Sequence, residues 1–140
     1  MTPTDDTLRQ ILTDTKVIAL VGWSANAMRP SHGVAAYLAR RGYCVIPVNP
    51  GHAGMVTAWG ETVRASLADI PEAVDMVDIF RNPDAVEPVV AQALTALPGL
   101  KTVWMQIGVV NHAAAALAEA AGVTVVMNRC PAIEIPRLIG

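Results

Sequence analysis

Apolar residues gather in short unbroken runs separated by segments with helical spacing. Five runs read as strands: Val17–Val21, Tyr43–Val48, Asp75–Phe80, Lys101–Gln106 and Val123–Met127. They lack the alternation of a strand with one wet face, so each is predicted to be covered on both sides. Between them, Asp6–Thr15 carries Leu8, Ile11 and Leu12 at helical spacing, with Asp5 and Asp6 as candidate caps. His32–Arg41 follows Pro30-Ser31, presents Val34, Tyr37 and Leu38 on one side, and stops at Gly42. Ala85–Leu97 places Val86, Val89, Val90 and Leu94 together and tolerates Pro88 in its first turn. Asn111 caps an alanine-rich helix that closes at Gly122. His52–Pro71 is less regular, with a short extended piece at Glu61–Arg64 and a single helical turn at Ser66–Ile70. Pro131–Leu138 reads as a loop or a short helix covering the sheet.

Strands alternating with helices, with apolar strands throughout, predict a parallel sheet built from right-handed crossovers. The expected fold is α/β, a single doubly wound Rossmann-like domain over residues 1–140. Its five-stranded, mostly parallel sheet is expected in the order 3-2-1-4-5, with helices on both faces. Ligands in such sheets bind beyond the carboxyl ends of the strands where the order reverses, here between strands one and four.

Composition narrows the class. The chain has 140 residues, 53% of them hydrophobic, and a net charge of −2. One domain with a full core fits this length. The charge gives no general attraction to nucleic acid or to an anionic membrane, so an anionic ligand needs local donors. No apolar stretch reaches transmembrane length, and the acidic, polar start is not a signal peptide; a cytoplasmic protein is expected. The two cysteines show no C-x-x-C spacing, and the three histidines show no metal-ligand spacing with them. Cys44, inside an apolar run, reads as a small core residue.

The candidate chemistry centres on Val17–Ser31, where an apolar strand breaks at Gly22 and a helix starts soon after. Backbone amides and the helix dipole at such a turn favour an anion. A dinucleotide fingerprint would require G-x-G-x-x-G, and this loop reads Gly22-Trp23-Ser24-Ala25-Asn26-Ala27. The carboxylate expected after strand two is replaced by Asn49-Pro50. Both departures argue against NAD.

Several motifs stand at the strand ends in order: Val21-Gly22-Trp23-Ser24 with Arg29-Pro30-Ser31-His32, then Gly42–Pro50, and Ser66-Leu67-Ala68-Asp69-Ile70-Pro71. Val77-Asp78-Ile79-Phe80-Arg81, Trp104-Met105-Gln106-Ile107-Gly108, and Arg129-Cys130 with Ile133-Glu134 follow. Together they cover most of the chain after the first helix, and the chain resembles the small CoA-binding domain proteins, similar to the CoA-binding domain of the succinyl-CoA synthetase α subunit. The resemblance implies coenzyme A, or an acyl-CoA, lying across the strand ends. Gly22, Ser24, Arg29, Pro30 and Ser31 would then face its phosphates, with Trp23 among the cofactor-binding residues. Asn49, Pro50, Phe80 and Arg81 would frame the adenosine part, and Gln106 to Gly108 would border the pantetheine arm. Forked arginine donors suit such phosphates better than a single ammonium. Where relatives often carry a lysine between the cysteine and the glutamate, this chain has Pro131-Ala132.

The leading expectation is a CoA-binding protein with no catalytic residues and no metal. Two others stand beside it: an acyl-CoA ligase or transferase component, and a dinucleotide-binding regulator. A thiol near a thioester suggests acyl transfer, but no histidine lies near Cys130 in sequence, and Glu134 reads as a partner for Arg129 or Arg137. A homodimer through the apolar Ile133-Glu134-Ile135-Pro136 tail is left open.

Overall fold

The computed structural model describes residues 2–140. Helix α1 (Asp5–Asp14) starts on a Thr4 cap whose side chain accepts from the Thr7 amide, and buries Leu8 and Leu12. Strand β1 (Val17–Val21) leads through the Gly22 turn to α2 (Pro30–Arg40) and β2 (Cys44–Val48). A long irregular connection with two 3-10 turns reaches β3 (Met76–Ile79). The chain then alternates regularly through α3 (Val86–Ala96), β4 (Thr102–Met105), α4 (His112–Ala120), β5 (Thr124–Val126) and α5 (Pro131–Leu138). The helical reading of Pro131–Leu138 is the one realised.

All strand pairs are parallel, and the fold is the expected doubly wound α/β domain. The strand order differs: it is β2-β1-β3-β4-β5 rather than 3-2-1-4-5. The reason lies in the connection after β2. Arg64 bridges Val48 in parallel, its amide donating to the Pro47 carbonyl and its carbonyl accepting from Asn49. The outer end of β2 is thereby occupied, and β3 pairs with the free edge of β1 instead. The order now reverses between β1 and β3, which moves the expected ligand crevice from the β1/β4 boundary to the β1/β3 boundary.

Two apolar layers cover the sheet. On one face Ala19, Ile46, Val77 and Met105 pack against Val86 and Val90 of α3 and Ala114 and Ala118 of α4. On the other, Ile18, Leu20, Val45 and Trp104 meet Leu8 and Leu12 of α1, Leu38 of α2 and Ile135 of α5. Burial on both faces explains the continuous apolar strands. Cys44 departs from expectation: it is the first residue of β2 and is exposed, whereas Cys130 is buried. Ile135 faces the core, so only part of the Ile133–Pro136 tail is free at the surface. Arg129 and Arg137 both pair with Glu134, at 3.0 and 2.6 Å.

Candidate functional site

A cavity of about 700 Å³ opens where β1 and β3 end, closed by the start of α2, the end of β4 and the start of α5. Its walls bring together Gly22, Ser24, Arg29, Pro30, Ser31, Phe80, Arg81 and Gln106 from the expected set, and add Val34, Ile107, Val109, Cys130 and Ile133.

The Gly22 corner has a positive φ of 88°. Its amide donates to the Val48 carbonyl, and a β-carbon placed there would stand 2.2 Å from the Phe80 carbonyl oxygen and 3.1 Å from Arg81 Cδ. The end of β3 therefore lies directly against the turn, with the Arg81 stem beside it. Beyond Gly22, the Ser24 amide donates to Ser31 Oγ at 3.0 Å, and His32 Nδ1 lies 3.0 Å from the Ser24 carbonyl. These contacts tie the loop to the first turn of α2. Arg29 is the N-cap residue yet makes no side-chain cap, and Pro30 follows it. The first-turn amides of α2 are thus left without a side-chain acceptor, as an anion site requires.

Charge in the cavity comes from Arg29 and Arg81. Neither forms an ion pair among the described residues, and no carboxylate is on the cavity wall. The wall becomes apolar toward Val34, Ile107, Val109 and Ile133. Cys130, at the N-cap of α5, is 7% exposed. Burial pushes its thiol up, against the backbone amides of Ala132 and Ile133 and the Gln106 side chain beside it.

Beneath the wall, Asp78 of β3 is 0% exposed, and both its oxygens accept from Gln106 Nε2, at 3.0 and 3.3 Å. Burial raises its carboxyl to about 7 despite that hydrogen bond.

Four expected contacts sit elsewhere. Trp23 is 3% exposed and belongs to the core, stacked on His32 at 5.7 Å and edge-on to His52 at 5.9 Å. The chain reversal at Gly22 turns the indole inward, away from the ligand contact expected of it. Gly108 lies off the cavity wall, its amide donating to Asn128 Oδ1 at 2.7 Å to join the ends of β4 and β5. Asn49 and Pro50 line a neighbouring cleft of about 350 Å³ that shares Gly22 and Arg81 with the cavity. The Asn49 side chain is already engaged, accepting from the Gly51 amide and donating to the Trp23 carbonyl.

Of the added residues, Ile107 stands between two expected contacts. Val34 falls on a helix face that sequence spacing assigns to packing, and Ile133 falls in the apolar tail read as a candidate interface. Cys130 falls in the Arg129-Cys130 motif after strand five. Among the described residues no cluster of His, Cys, Asp or Glu could hold a metal ion, and no helix is long and apolar enough to cross a membrane.

Comparisons with known proteins converge on one group. A family model described as "CoA binding domain" matches residues 16–136. The uncharacterized protein YneT of Bacillus subtilis is 34% identical over 129 residues, covering 91% of each chain. A hypothetical protein from Pyrococcus horikoshii OT3 is 39% identical with a TM-score of 0.91, over 99% of this chain and 94% of that one. A Thermus thermophilus structure is 36% identical, also at 0.91, over 98% of this chain and 100% of its own.

Proposed function

The chain belongs to the CoA-binding domain family, and from that membership we propose that it holds coenzyme A or an acyl-CoA across the strand ends without chemistry of its own. The observation that carries this reading is the pairing of two arginines, Arg29 and Arg81, that form no ion pair among the described residues, with a start of α2 that has no side-chain cap among them, at one end of a cavity whose other end is apolar. Coenzyme A has the same division: phosphates at one end and a long, weakly polar arm ending in a thiol at the other. The phosphates would lie against Gly22, Ser24 and Ser31, and the arm would pass Gln106 toward Ile107, Val109 and Ile133. The neighbouring cleft at Asn49 and Pro50 would take the adenosine, with Arg81 between the two spaces. A cytoplasmic protein would meet this ligand freely.

Calorimetric titration of the purified chain tests the reading. Coenzyme A should bind more tightly than its form lacking the 3′-phosphate, and NAD should not displace it. Failure of coenzyme A to bind or to raise the melting temperature at millimolar concentration overturns the assignment. Arg29→Ala should weaken binding by about 1–3 kcal/mol, the loss of a hydrogen bond to a charged group. An unchanged affinity would remove Arg29 from the site.

One observation favours a catalytic component instead: Cys130 is on the cavity wall. Its thiol, raised by burial, is poorly disposed to be a nucleophile at neutral pH. Thioester exchange that disappears in Cys130→Ser would establish that reading over the binding module.

A further inference from the structure

The floor of the cavity carries a polar pair that phosphate binding does not use. Asp78 is wholly buried on β3, and its only side-chain partner among the described residues is Gln106, itself 5% exposed at the end of β4. An ionised carboxylate only accepts, so once Asp78 has lost its proton the half of the Gln106 amide turned toward it is the nitrogen, the arrangement the structure shows. Both Asp78 oxygens take Nε2, and the oxygen end of the amide is left over. No described protein group donates to Gln106 Oε1, and it is not sealed from solvent as the unpaired Trp23 Nε1 is. Gln106 lines the cavity, so the end of its amide turned away from Asp78 is the end available to a ligand there.

We infer that Asp78 is a positioning residue, holding Gln106 by its nitrogen so that Oε1 faces the cavity as an acceptor for a ligand N–H, of the kind a secondary amide supplies. The inference rests on the CoA reading, whose pantetheine arm carries two such amides. A glutamine free to turn would present donor or acceptor indifferently. One held by a buried carboxylate selects a donor, and a ligand arm offering only acceptors would leave Oε1 unpaired in a largely dry site. Asp78 thus acts through Gln106 and touches no ligand itself. The other titratable group beside the pair is the Cys130 thiol at the start of α5.

The test is a double-mutant cycle read against two ligands: coenzyme A, and adenosine 3′,5′-bisphosphate, which keeps the adenosine and two of the three phosphates and carries no amide arm. Asp78→Leu and Gln106→Leu should each weaken coenzyme A about tenfold and leave the bisphosphate unchanged. The double variant should be no weaker than either single one, because the two residues act as a unit. Unchanged coenzyme A affinity in Asp78→Leu, or equal losses for both ligands, overturns the inference. A second measurement needs no ligand and no substitution. The Gln106 side-chain amide resonances of the wild-type protein should move as Asp78 titrates, and resonances that ignore pH would show that the carboxyl does not hold the amide. Wild-type protein that binds neither ligand overturns the CoA reading, and these resonances then decide the positioning role separately.

Discussion

Replacing Gly22 by alanine lowers the unfolding free energy by about 3 kcal/mol or more, because two costs coincide at one backbone position. The first is conformational: φ is +88°, and a left-handed backbone costs an L-residue roughly 1–2 kcal/mol. The second is contact. The new β-carbon would stand 2.2 Å from the Phe80 carbonyl oxygen, and backbone cannot rotate aside as a side chain does, so the ends of β1 and β3 must separate. Overpacking of this kind adds about 1–3 kcal/mol. Gly42 separates the two terms. Its φ is +98°, and a β-carbon there would meet nothing within 4 Å, so Gly42→Ala carries the first cost alone. Denaturant unfolding of both variants should place Gly22→Ala clearly below Gly42→Ala. Equal stabilities would mean that β3 does not press on the turn. Because the same separation opens the cavity where Arg81 crosses, Gly22→Ala should also bind coenzyme A more weakly, and Gly42→Ala should not.

That close approach also marks what a sequence can and cannot disclose. Gly22 is legible as a turn because it ends an apolar run, yet its neighbour is not, since periodicity says which faces are buried and nothing about which strand lies alongside. The strand order turns on Arg64, an ordinary residue in an irregular stretch that occupies the outer end of β2. With β3 beside β1, Phe80 and Arg81 move from the rim of the expected site to its centre. Trp23 and Cys44 mislead for a related reason, because neighbours in sequence are a poor guide to either. Trp23 follows a chain reversal that turns it into the core, and Cys44 stands at the first position of an edge strand, where burial has not yet begun. The arginines, serines and Gln106 are legible because polar residues at the carboxyl ends of apolar strands have few structural reasons to be there. Val34 and Val109 are not, since an apolar wall residue looks like any other packing residue.

Asp78 is the departure that the sequence shows openly, a lone carboxyl between Val77 and Ile79 in a strand buried on both faces, and its cost is measurable. Burial raises its carboxyl from 3.8 to about 7 in the folded protein, chiefly by desolvation and against the Gln106 hydrogen bond. The unfolded chain releases this proton near the ordinary value, so between the two values the folded state holds more protons than the unfolded one. Stability therefore falls as pH rises through that window and levels off above it. From pH 5 to pH 8 the wild-type protein should lose about 3 kcal/mol of unfolding free energy at roughly 1.4 kcal/mol per pH unit. Asp5, held below the usual carboxylate range by its hydrogen bond to Arg137, acts only at lower pH. The thiols of Cys44 and Cys130 and the Tyr43 hydroxyl, all raised by burial, act only in alkali. Asp78→Asn keeps the shape and an acceptor for Gln106 Nε2 while removing the charge, so its stability should be flat where the wild-type curve falls, and it should be the more stable protein at pH 8. Parallel curves for the two proteins would show that Asp78 ionises as an ordinary carboxyl, against the expectation from its complete burial with Gln106 as its only side-chain partner among the described residues.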